Sequence, residues 1–362
     1  MVKLIHGADF HLDSPFSGLS PERAARRRQE LRELPARLAQ LARDRGADLV
    51  LLSGDLLDSE RVYPETVQAL KSALGEMPCP VFIAPGNHDC WSEKSVWAAP
   101  DWPEQVHIFR APRMEGVPLS DWNCTVWGRA FCSPHQGDSP LAGFSSPADG
   151  GLHLGCLHGD ITPQSQYGPL APEDIARSGL TYLALGHIHQ RTDLQRTGGT
   201  FWAYPGCPEG RGFDETGEKG VLYVEAEPGA VSAQFVPLCR RRYERLTVDL
   251  TGQTDGLAAV RAALPPDAGA HIFRVLLTGE GERPDLTALE GALAPLCYGL
   301  TLRDHTRLPL DLWKRREEDS LTGLFLREMW ALCEQDPDDP KLQLAARYGL
   351  AALEDREEGN LL

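Results

Sequence analysis

No stretch approaching the roughly 18 apolar residues of a membrane helix occurs in this sequence, so nothing in it suits a helical span. The start, Met1 to His6, lacks the longer apolar core of a secretory signal, and the expectation is a cytoplasmic protein. Nine cysteines are scattered from Cys79 to Cys333 without one C-x-x-C pair. That excludes a zinc ribbon, and the odd count reads as reduced thiols, not a disulfide framework. No G-x-x-x-x-G-K-[ST] run occurs, so Gly212 to Gly220 is glycine-rich without being a nucleotide loop. Positive charge is also scarce. With 36 Lys and Arg against 52 Asp and Glu, the net charge is −16, which excludes holding nucleic acid by a global field. A local basic surface stays open, and bound cations would offset acidity at a site.

What is present has the balance of a globular protein of two or three domains: 362 residues, 42% hydrophobic and 24% charged. The first two-thirds repeat one pattern, a short apolar run that stops at a polar cluster. Lys3–Ala8 ends at Asp9-Phe10-His11, Ala47–Ser53 at Gly54-Asp55, and Val81–Pro85 at Gly86-Asn87-His88-Asp89. Leu152–Leu157 ends at His158-Gly159-Asp160, and Tyr182–Leu185 at Gly186-His187-Ile188-His189. Such runs predict buried strands whose following loops carry chemistry. Leu31, Leu34, Leu38 and Leu41 predict a helix between the first two, with a kink or restart at Pro35.

After about residue 239 the texture changes. The order strand, helix, strand, helix, strand over 240–305 predicts a small separate domain. Residues 306–362 read as helical, with Leu321, Leu324, Phe325, Met329 and Leu332 on one apolar face and Leu342, Ala345, Ala346, Leu350 and Leu353 on another. These faces suit either a docking surface or packing on the chain's own body.

Taken singly, each polar cluster has a structural reading; together, five of the eleven histidines stand at strand ends. Oxygen and imidazole donors without thiolate suit a borderline or hard divalent ion. Asp9, His11, Asp55, Asn87, His158, His187 and His189 are too many ligands for one ion with an open position, and suit two. Asp55 is the natural bridge between them, and such a pair clamps both oxygens of an in-line displacement at phosphorus. His88 remains free to protonate the leaving oxygen, with Asp89 placed to orient it.

At these residues the chain resembles the calcineurin-like metallophosphoesterase superfamily, with its D-x-H, GD, GNH[DE], H and GHxH order, over roughly the first 240 residues. Within it, His11 to Phe16, Gly54 to Asp58, Gly186 to His189 and Tyr204-Pro205-Gly206 look like the SbcD-type DNA repair exonucleases, and most like their YhaO-like branch. The resemblance implies an α/β four-layer sandwich, two mixed sheets flanked by helices, over 1–239. A small α/β capping domain at 240–305 would present DNA, and the helical tail at 306–362 would dock a partner. It implies two divalent ions, foremost Mn²⁺, with Mg²⁺, Fe²⁺ or Zn²⁺ as alternatives. Asp9, His11, Asp55 and His189 would hold one; Asp55, Asn87, His158 and His187 the other. His88 would be the transition-state acid. DNA would be the substrate, a coiled-coil ATPase of the SbcC type the partner, and a homodimer the assembly. Cys207 departs from the serine common in relatives, and Asp58 from the histidine of some nucleases.

The metal residues fit other phosphate esters equally, so DNA is favoured by the periphery. Residues 23–45 hold eight arginines, which suit either a phosphate-tracking face or a solvated helix face. Arg26 and Arg27, with Asp13 and Tyr204, are the candidate substrate contacts. The competing expectations are a phosphoesterase for nucleotides, cyclic nucleotides or phosphoproteins, and a non-catalytic scaffold.

Overall fold

The computed structural model describes residues 1–281, 283–336 and 339–353. The end of the helical tail, 354–362, lies outside the described residues. The chain folds as two compact units, residues 1–211 with 217–240, and residues 212–216 with 241–362.

In the first unit, the apolar runs form the centres of two six-stranded mixed sheets. One sheet has the order Ala230–Pro237, Gly220–Glu227, Val2–Gly7, Leu49–Leu52, Val81–Ile83, Val106–Ile108. The last four strands run parallel, and the first two add antiparallel. The other has the order Glu115–Leu119, Cys124–Gly128, Leu152–His158, Tyr182–Gly186, Thr200–Ala203, Gln195–Thr197, with antiparallel strands only at its edges. Leu4, Leu51 and Phe82 of the first sheet meet Leu154, Cys156 and Ala184 of the second in one buried cluster. Strands so covered on both faces are continuously apolar because neither face meets water.

The outer face of the first sheet, Ile5, Val50 and Leu52, packs on Leu31, Leu38, Leu70 and Leu74 of its helices. The expected break near Pro35 is real: one helix ends at Arg32 and the next begins at Leu34, so that Pro35 sits in a first turn where its missing N–H costs nothing. Leu183 and Leu185 of the second sheet pack on Ile175, Leu141 and Leu170. Helix is scarce in this fourth layer, and the six residues Pro172–Arg177 supply it.

The second unit has a parallel sheet, Tyr243–Asp249, Ile272–Thr278 and Gly299–Asp304, on which Gly256–Ala263 and Leu286–Leu293 pack through Val260 and Leu293. Helices Leu321–Gln335 and Pro340–Leu353 share a core of Leu326, Met329, Cys333, Ala346 and Leu350. This corrects the expected apolar face. Leu321, Leu324 and Leu332 are 69%, 50% and 45% exposed, because the helix turns Leu326 and Cys333 inward instead.

Candidate metal centre

The five polar clusters sit at the carboxyl ends of five central strands, Val2–Gly7, Leu49–Leu52, Val81–Ile83, Leu152–His158 and Tyr182–Gly186. The chain there turns sharply: Asp9, His11, Asp55 and His187 all have positive φ, at 55°, 43°, 51° and 108°. Non-glycine residues held in this region cost of order 1–3 kcal/mol each, which the surrounding fold must supply. Two glycines make the approach feasible. A Cβ on Gly54, itself at φ +89°, would stand 2.5 Å from His158 Nδ1, and one on Gly86 would stand 2.2 Å from Asp55 Oδ1.

All seven expected ligands meet in two adjoining groups. Asp9, His11 and His189 have ligand atoms within 4.8 Å of one another, as do Asp55, His158 and His187. In the first group, the Nε2 atoms of His11 and His189 face each other at 3.1 Å. In the second, Asn87 Oδ1 lies 2.9 Å from His158 Nε2 and 3.2 Å from His187 Nδ1. Asp55 stands between the groups. Its Oδ2 is 3.4 Å from His158 Nε2 and 3.8 Å from His11 Nε2.

The electrostatics suit cations. Burial pushes the Asp9 carboxyl up to about 6, and takes His11 and His187 down to about 4, leaving them neutral and ligand-competent. Burial opposes charge on Asp55 too, but His158, His11 and His88 hold it well below the usual carboxylate range. Burial likewise works against charge on His158, yet Asp55 and then Asp9 outweigh it and take the imidazole up to about 9. Two buried carboxylates, four inward imidazoles and a carboxamide oxygen therefore fit two divalent ions as donors and as charges.

The bracing is specific. His158 Nδ1 donates to the Ser53 carbonyl at 2.9 Å, which turns Nε2 inward. The His187 backbone N–H donates to Asp9 Oδ1 at 3.0 Å. His11 Nδ1 lies 3.2 Å from Asp58 Oδ1. His88 is exposed, its Nδ1 donates to the Asp58 carbonyl at 2.9 Å, and its ring centroid is 4.7 Å from that of His11.

Several expected roles need correction. Asp89 does not orient His88. It is 3% exposed, and its carboxylate accepts backbone N–H groups of Leu56, Leu57 and Gly86, at 2.8, 3.2 and 2.8 Å, tying two ligand loops together. Arg27 cannot meet a substrate: its fully buried guanidinium pairs with Glu30 at 2.6 Å and Glu209 at 2.8 Å. Tyr204 is equally buried, and its hydroxyl donates to the Gly159 carbonyl at 2.7 Å. The Asp13 side chain, 4% exposed, is committed to Arg32, Thr66 and the Tyr63 N–H. Of the four, Arg26 alone has an exposed side chain, 64% accessible, with its Nε 3.8 Å from Glu30 Oε1. Most of the arginine-rich stretch ties the fold to itself. Arg37 reaches the Leu238 carbonyl, Arg43 the Glu76 carbonyl and Arg45 the Gln234 side chain.

Two further residues stand near the site, Asp58 noted in the sequence only as a departure from relatives and Arg211 missed altogether. Asp58 braces His11, and Arg211 lies 3.2 Å from Asp58 Oδ1 and 3.0 Å from His189 Nδ1. Asp58 follows the Gly54-Asp55 step closely enough to have been suspected; Arg211 carries no sequence signal.

Residues 2–191 match the family described as calcineurin-like phosphoesterase, just over half of the chain. The chain belongs to that family. The family is one of metal-dependent hydrolases of phosphoester bonds that use divalent ions. The phosphoesterase is 32% identical over 262 residues to an uncharacterized metallophosphoesterase, YhaO, of Bacillus subtilis, covering 69% of this chain and 64% of that one. It is 26% identical over 269 residues to the DNA double-strand break repair protein Mre11 of Aeropyrum pernix, with the same two shares. Its identity to the Mre11 of Saccharolobus solfataricus is 24% over 341 residues, covering 86% and 84%. The chain thus spans less than two-thirds of the first two relatives. Among the described residues no helix is long and apolar enough to cross a membrane.

Proposed function

We propose that this phosphoesterase is a two-metal DNA phosphodiesterase, an exonuclease of the repair type. The observation that carries the two-metal reading is Asp55, whose one carboxylate oxygen lies within 3.8 Å of imidazoles from both ligand groups. Asp9, His11, Asp55 and His189 would hold one ion; Asp55, Asn87, His158 and His187 the other. Bound there, the pair supplies an activated hydroxide and charge stabilisation at phosphorus. His88, its Nδ1–H committed to the Asp58 carbonyl, presents Nε2 to exchange a proton with the leaving oxygen. Asp89 ties the two ligand loops together and takes no part in the proton transfer.

The choice of DNA is supported by the two Mre11 relatives, which are DNA double-strand break repair proteins. The internal use of most of the arginines weakens the argument from local charge and leaves Arg26 as the candidate backbone contact. Mn²⁺, a coiled-coil ATPase partner, homodimerisation and a cytoplasmic location belong to the same reading. So does the role of residues 240–305 in presenting DNA. Exposed Leu321, Leu324 and Leu332 are the docking candidates of the tail.

The test is one sample analysed for metal and assayed with Mn²⁺ on a phosphomonoester, a simple phosphodiester and linear DNA. Cleavage of DNA and the diester is expected. Turnover of the monoester alone would remove the nuclease reading, and inertness at full metal loading would favour a scaffold.

A further inference from the structure

Arg211 comes from a segment that no ligand motif marks. After the strand Thr200–Ala203, residues 204–211 pass against the loop that carries His187 and His189. Gly206 has φ +74°, and a Cβ on it would stand 2.7 Å from the His189 carbonyl oxygen. One residue later, the Cys207 N–H donates to that same oxygen at 3.2 Å. The far end is anchored by Glu209, which is 1% exposed and accepts from Arg27 at 2.8 Å and from the Arg240 N–H at 2.6 Å. Arg27 also donates to the Gly210 carbonyl at 2.9 Å. Buried opposite charges recover their desolvation cost only with every partner in place, so this anchor gives the segment one position. Arg211 is thereby delivered to Asp58, Ser14 and His189, at 3.2, 3.3 and 3.0 Å.

A guanidinium is an unexpected neighbour for a pocket built to gather cations, since at such distances its charge opposes theirs. Asp58, 3.2 Å away, offsets part of that charge. What gains from a fixed cation beside two metal pockets is an anion. The hydrogen-bond chemistry points the same way. A guanidinium donates only, so its bond to His189 Nδ1 requires the lone pair on that atom. An imidazole that gives Nε2 to a metal keeps its proton on Nδ1 and no longer accepts there. Arg211 must then direct that N–H to another acceptor, and its side chain is 20% exposed, within reach of a ligand from solvent.

We propose that Arg211 is a substrate contact whose guanidinium takes a non-bridging oxygen of the phosphoester, held in position by the Arg27–Glu209 anchor. The inference rests on the two-metal reading above. The full chain, loaded with Mn²⁺, is titrated with inorganic phosphate by calorimetry and assayed on a simple phosphodiester. Arg211→Met should retain both ions while the phosphate Kd rises about 10- to 100-fold, the scale of a lost charged hydrogen bond, and the diester KM rises with it. Arg211→Lys should recover part of the loss, having the charge without the fork. Glu209→Gln, with Arg211 present, should weaken phosphate binding by a smaller factor. An unchanged phosphate Kd in Arg211→Met would overturn the proposal, as would loss of an ion in both Arg211 variants, which would make Arg211 a brace for the metal. Should Arg211→Met fail to fold, Arg211→Lys decides alone, by whether phosphate binding weakens with both ions held. A wild-type chain that binds no Mn²⁺ would sink the two-metal reading itself, a distinguishable failure.

Discussion

In the first ligand pocket, a charged side chain from a loop, Asp58, stands against His11, and a second, Arg211, stands beside His189. In the second, His158 is braced by the Ser53 carbonyl at the end of a central strand, and Asn87 lies between His158 and His187. The two use the same donor types, but the second inherits its geometry from the sheets. The first depends on loop segments, one of which is held by a salt-bridge cluster around Arg27. A backbone carbonyl at a strand end is nearly immovable, whereas a charged brace is only as fixed as its own anchors.

The severest way to break this comparison is to remove what the pockets share. Asp55→Asn should empty both, with metal content falling from two ions toward none and turnover to background, read by elemental analysis on the purified variant. Retention of both ions would show that Asp55 does not bridge. Next comes the residue outside either ligand set. His88→Ala should keep both ions and lower kcat by about 10²- to 10⁴-fold, the usual worth of a general acid. Its deficit should shrink on a diester with a nitrophenolate leaving group, which needs no proton. If His88→Ala strips the ions instead, His88 is a ligand.

Arg27→Met strikes the anchor of the first pocket by removing the buried cation that Glu30 and Glu209 share. Breaking a buried pair in this way costs about 3–5 kcal/mol, so a large drop in the denaturation midpoint is expected. A surface arginine at a DNA interface would barely shift it. Asp58→Asn should weaken one ion by about 10- to 100-fold, as loss of a charged brace does, and leave the other intact. Asp160→Asn, 4.0 Å from His187 Nε2, should weaken binding much less. Equal effects from the two would erase the contrast between pockets.

Near neutral pH the smallest effect belongs to the framework beneath both pockets. Burial, partly offset by the hydrogen bond to the Leu185 carbonyl, pushes His6 down to about 3. The folded chain therefore stays neutral there while the unfolded chain takes up a proton below about 6.5. Stability from this group is complete above that pH and is lost as pH falls toward 3, at roughly 1 kcal/mol per pH unit. His6→Gln should flatten that limb of the stability profile; an unchanged slope would assign the acid sensitivity to other groups.

Much of this was legible in the chain. Strands at Val2–Gly7, Leu152–His158 and Tyr182–Gly186 lie where apolar runs stop at polar clusters, and the sheet, helix, sheet order of 243–304 follows from its periodicity. Two errors have one cause. Arg27 and Asp13 look like site residues because charged side chains near a metal motif usually face solvent or ligand, and their actual partners are far off in the sequence. Glu209 lies 182 positions from Arg27, and Thr66 lies 53 from Asp13. The face of the tail helix was misread by a residue or two of phase, with Met329 alone of the expected set fully buried, because Leu321, Leu324 and Leu332 are as apolar as the residues that it buries.

Local chemistry thus determined which side chains could bind metal and that strand ends would carry them, since hydrophobic run length and donor type are properties of neighbouring residues. The tertiary structure alone decided how close those donors come to one another, what fixes each of them, and which arginines are committed inside. Those are matters of distance between segments that close on one another only when the sheets stack, and sequence spacing carries no record of them.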